Sequence, residues 1–127
     1  MSVNVVTRIA KRKMLQARSG DAALPKIVGM AFGTGGVDSG GSIITNPDTQ
    51  NRLNNEIYRK SVDGHTTVSD TKVRYTCTIS GGEIADGTAV SEIGLYDEAG
   101  DFVNTTCFHP KEIDADMEII FECDDTF

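Results

Sequence analysis

The chain has no tryptophan, only three prolines and three cysteines, and no run of the roughly 20 apolar residues that a membrane-spanning helix needs. Each shortage excludes something. Three cysteines, Cys77, Cys107 and Cys123, are an odd number at wide spacings and contain no CxxC pair, so neither a disulfide framework nor a zinc or redox motif is written here. Basic residues are also short, with 12 Lys and Arg against 19 Asp and Glu and a net charge of −7. Such a balance is a poor match to a phosphate backbone, whose counterions are displaced by cations, and it speaks against nucleic acid as a partner. The start of the chain lacks the apolar core of a secretory signal, which predicts a protein made and kept in the cytosol without membrane insertion.

What remains is ordinary for one globular domain. The 127 residues are 39% hydrophobic and 24% charged, enough to stand on an apolar core. Thirteen glycines beside three prolines favour many turns over long helices. Charge is uneven: residues 1–26 carry +5, which leaves −12 for the remaining 101 residues. From Glu112 to Asp125 there are seven acids and no base. Opposite ends of opposite sign suggest that the start of one subunit meets the end of another.

Hydrophobic spacing orders the elements. Val6, Ile9, Ala10 and Met14 recur at three- and four-residue steps, which predicts a helix from Asn4 to Arg18 with Gly20 as its stop. Residues 1–20 then form a basic helical arm, and 21–127 a single domain. In the arm, Val6, Ile9 and Met14 offer apolar contacts to a neighbouring subunit, while Arg8, Lys11 and Arg12 select it. Lys26–Phe32 reads as a strand, followed by the glycine-rich loop 33–41. This loop lacks the Lys-Ser/Thr ending of a phosphate-binding loop. Asn46-Pro47-Asp48 resembles a helix start, and Leu53 and Ile57 four apart predict a second helix running to Lys60 and packed on a sheet. Beyond Thr71 the period becomes two: Val73–Ile79, Ser91–Tyr96, Phe102–Phe108 and Met117–Cys123 read as strands, with a hairpin turn at Asp97–Asp101. Short links between strands favour antiparallel pairing. The expected fold is α+β, with a mainly antiparallel, sandwich-like sheet in the second half, an N-terminal helix, and one helix on the sheet.

Chemistry finds little purchase. Cys107 and His109 could join Cys77 and Cys123 around zinc, but the spacing of metal sites is missing and core packing accounts for the thiols. His65 and His109 have no nucleophile elbow near them, and the acid pairs do not match a calcium loop. No catalytic residue, metal or cofactor is assigned.

Two stretches, GMAFGTGG and SEIGLYDEAGDFV, resemble the tail-collar fibre family found at the start of bacteriophage tail-fibre proteins, with the similarity running from about Ala22 onward. They contribute Gly33, Gly35 and Gly36 from the first motif, and Glu92, Gly94, Tyr96 and Gly100 from the second. The resemblance implies a structural part of a virus, prophage or tail-like particle that attaches or forms receptor-binding fibres at the baseplate. It implies a homo-oligomer, a trimer before other states, that meets other tail or baseplate proteins. It places the chain in the virion tail, and in the bacterial cytoplasm during assembly. The other class consistent with these residues is a small carbohydrate- or receptor-binding β module without enzymatic activity.

Overall fold

A computed structural model describes residues 2–127. In chain order these form β1 (Ser2–Val6), α1 (Arg8–Ser19), β2 (Ile27–Gly33), β3 (Glu56–Ser61), β4 (Gly64–Ser69), β5 (Lys72–Ile79), β6 (Ala89–Asp97), β7 (Asn104–Glu112) and β8 (Ile119–Thr126). The strands make two antiparallel sheets, one of five in the order β1-β7-β6-β2-β3 and one of three in the order β4-β5-β8. The expected α+β, mainly antiparallel architecture is what the chain adopts, with a single short helix.

The main core lies between the sheets. Met30, Phe32, Val90, Ile93 and Leu95 from the larger sheet meet Cys77, Ile79, Phe121 and Cys123 from the smaller. Phe32 and Phe121 pack edge to face, 5.0 Å between ring centroids, an arrangement that suits the ring quadrupoles. Side-chain amides stitch the layers: buried Asn104 and exposed Asn4 each donate through Nδ2 to the Asp124 carbonyl, both at 3.0 Å. A second, smaller core of Ala31, Leu53 and Phe102 lies apart from the first, with Tyr96 packed against it.

Two expected helices change. The first begins later, because Ser2–Val6 is rich in β-branched valine and pairs with β7 from Ser2↔Phe108 to Val6↔Asn104. Thr7 then caps α1, its Oγ1 accepting from the Ala10 N–H at 3.2 Å and donating to the Phe102 carbonyl at 2.6 Å. Residues 1–20 are thus not one helical arm; their first part is the edge of the larger sheet. The second expected helix, 46–60, is absent. Asn46 and Leu53 are buried residues of the long loop between β2 and β3, and Glu56–Ser61 is a strand paired with β2. The backbone N–H groups of Asn54 and Asn55 are taken by a side chain from β6, and this fixes the loop before any helical ladder closes.

Nor is the sheet confined to the second half, since β1, β2 and β3 make three of the five strands of the larger sheet. β7 runs through Pro110 to Glu112, past the expected end at Phe108. It can do so because no pairing partner claims Pro110: the β6–β7 register jumps from Val90↔Lys111 to Glu92↔Cys107.

Candidate functional site

The two sequence motifs meet on one face of the larger sheet. Glu92, fully buried on β6, accepts three backbone hydrogen bonds, each 2.8 Å: Oε2 from Gly35 and Asn55, Oε1 from Asn54. Beside it, Ser91 Oγ accepts from Gly36 N–H at 2.8 Å. Consecutive strand residues normally face opposite sides. The register shift between Val90 and Glu92 is a local irregularity of the kind that re-aims side chains, and it lets both serve the same loop. Asn54 continues the network, donating to the Gly35 carbonyl (2.9 Å) and to Asn46 Oδ1 (3.0 Å), and Asn46 donates to Thr105 Oγ1 at 3.3 Å.

Glycine is required here by proximity. A Cβ on Gly33 would stand 2.5 Å from Glu92 Oε2, one on Gly35 would stand 2.6 Å from Asn54 Cβ, and one on Gly36 would overlap the Ser91 carbonyl oxygen. The rest of SEIGLYDEAG is equally structural. Gly94 leaves room for the Phe102 ring, and Tyr96 lies over Gly29. The Arg59 guanidinium sits 4.7 Å from the Tyr96 ring centroid and 5.4 Å from that of Phe102, within cation–π range. Asp97 Oδ1 accepts from the Ala99 and Asp101 N–H groups and closes the hairpin turn, where Gly100 has φ 86°.

The expected partner-binding residues distribute differently. Val6 belongs to β1 and is half-buried; Ile9 and Met14 are half-buried on α1. Arg8 and Lys11 both reach Asp48, at 3.3 and 3.1 Å, and the Lys11 hydrogen bond holds the Asp48 carboxyl below its ordinary value. Arg12 and Arg18 make no ion pair among the described residues, and Leu15 between them is 62% exposed. At the other end of the chain, Arg74 binds Asp124 at 2.9 Å and approaches Glu122 at 3.6 Å. Part of each charged end is therefore matched within the chain. Lys13, which the sequence did not single out, ties α1 to the β6–β7 hairpin turn by binding Asp97 at 2.6 Å and Asp101 at 2.7 Å.

The three thiols are free and buried. Burial pushes Cys77 and Cys107 up to about 11 and Cys123 up to about 12, so the reactive thiolate is scarce at neutral pH. The folded protein should react with a thiol reagent such as iodoacetamide at pH 8 at least about a hundredfold more slowly than the denatured chain, whose thiols revert toward 8.5. Rapid labelling of any one of them in the folded state would contradict this environment. No three His, Cys, Asp or Glu side chains gather as a metal-holding group among the described residues, and no helix there is long and apolar enough to cross a membrane.

Fold and site together define a small antiparallel two-sheet protein with one helix and a loop clamped by a buried carboxylate. Compared with models of known families, with curated proteins and with solved structures, the chain matches none.

Proposed function

We propose that this chain is a non-enzymatic structural part of a bacteriophage tail or related tail-like particle, one that attaches or forms part of the fibres at the baseplate. The observation that carries the reading is the interlocking of the two motifs that resemble the tail-collar fibre family. Gly33, Gly35, Gly36 and Glu92 close on one another, while Gly94 and Tyr96 pack further along the same strand against Phe102 and Gly29. Every member of the motif acts on shape, which suits a part that must hold a fixed outline in an assembly. The surface for assembly is the solvent face of α1, where Arg12, Leu15 and Arg18 stand outward. Arg8 and Lys11 contribute less, being engaged with Asp48.

Light scattering of the purified protein at low and high salt tests the reading. The expected mass is three times that of the chain at low salt, falling as salt screens the charged contacts. Replacing Arg12 and Arg18 together by Glu should weaken association about tenfold or more, mainly through slower encounter. A strict monomer at both salt concentrations, together with no labelling of tail particles by an antibody against this chain, would overturn the proposal.

A further inference from the structure

A cleft of about 310 Å³ opens between α1, the link that follows it, and the end of β8. Its wall is largely apolar, with Ala10, Met14, Leu24, Ile27 and Val103 on it and Phe127 at one side. The volume lies at the low end of those that hold small ligands. Set into this wall is Asp125, whose Oδ1 is fully buried and has no hydrogen-bond partner. A buried polar atom is nearly always paired, so an orphaned carboxylate oxygen beside an apolar cleft is unusual.

The cations already present do not answer it. Lys13 lines the same cleft, but its ammonium is held by Asp97 and Asp101. Lys26 is on the wall yet solvent-exposed, and the neighbouring Tyr75 hydroxyl makes no hydrogen bond to Asp125. Burial, with no compensating charge, pushes the Asp125 carboxyl above its ordinary value.

We propose that this cleft binds a primary ammonium carried on an apolar stem, the stem lying along Met14, Leu24 and Val103 and the ammonium pairing with Asp125. The apolar wall rejects a strongly hydrated inorganic cation, and the carboxylate discriminates against alcohols and acids of the same length. Two sources share this chemistry, a free alkylamine and a lysine side chain presented by another protein. The proposal is independent of the role in a tail.

The test is an NMR titration of the full chain with n-pentylammonium, following the Met14, Leu24 and Val103 methyl signals. Saturable shifts are expected at millimolar probe, with n-pentanol and pentanoate binding about tenfold or more weakly. Asp125→Asn should fold and lose the preference for the amine over the alcohol. Equal binding of amine and alcohol by the unaltered protein, absence of saturable shifts, or an undiminished preference in Asp125→Asn would each overturn it. A Leu-Lys-Leu peptide distinguishes the sources: tighter binding than pentylammonium, lost when norleucine replaces the lysine, identifies a protein side chain. Binding no tighter than pentylammonium identifies a free amine.

Discussion

Glu92→Gln should destabilise the protein by about 2–4 kcal/mol and release the loop that Glu92 holds, while leaving the sandwich core in place. The side chain is fully buried and offers both oxygens to three N–H donors. Glutamine keeps one acceptor and turns an NH₂ toward at least one of those donors, which leaves buried groups unpaired on both sides. Glu92→Ala removes all three bonds and opens a cavity, so its cost should be larger, about 4 kcal/mol or above. Against a total stability of about 5–15 kcal/mol for a domain of this kind, that is a severe loss. Chemical denaturation measures the magnitude. Hydrogen exchange supplies the location: the Gly35, Asn54 and Asn55 amides should lose protection first in Glu92→Gln, ahead of those in β5 and β8. A cost below about 1 kcal/mol would mean that Leu53 and Ser91 hold the loop without the carboxylate.

Gly36→Ala should cost about 3 kcal/mol or more. The added Cβ would overlap the Ser91 carbonyl oxygen, a backbone atom of a strand that is paired on both sides, with β2 and with β7. A flexible side chain could swing away; this backbone cannot retreat without disturbing two ladders. The same shift would break the hydrogen bond from Gly36 N–H to Ser91 Oγ. Gly64→Ala is the matched control, since a Cβ there meets nothing within 4 Å and the residue has no positive φ. It should be neutral or stabilising by up to about 1 kcal/mol. Thermal melts of the two variants side by side would decide the matter, and equal melting temperatures would contradict the close approach at Gly36.

Much of the β architecture was legible because alternation is a local property. Val73, Tyr75, Cys77 and Ile79 alternate with polar residues, and β5 spans Lys72–Ile79. The Asp97–Asp101 turn was equally plain, since a glycine free to take positive φ closes it. The segment 46–60 misled for a physical reason. Asn-Pro-Asp is a good helix start, and Leu53 and Ile57 have helical spacing, but both signals depend on the backbone N–H groups being free for a helix. Glu92, 38 residues away from Asn54, takes two of them, and β2 draws Glu56–Ser61 into the sheet. In the same way Ser2–Val6 is too short to declare itself a strand, and only the open edge of β7 gives it a ladder.

The candidate site divides along the same line. The glycines and Glu92 were visible as motifs, but their juxtaposition, the part played by Asn46 and Asn54, the Lys13 bridge and the orphaned Asp125 were not. Each depends on how segments distant in sequence are brought together. The charge asymmetry was read from composition as a signal between subunits, yet Arg8 and Lys11 find Asp48 and Arg74 finds Asp124 within one chain. By itself the sequence determined the antiparallel β character, the first helix with its glycine stop, and the tight hairpin. Those follow from side-chain period and backbone freedom over a few residues. Only the tertiary structure decided which strands are neighbours, which loop the buried carboxylate clamps, and which charges remain for a partner. Those outcomes are set by burial and by competition for backbone donors, and neither is a local quantity.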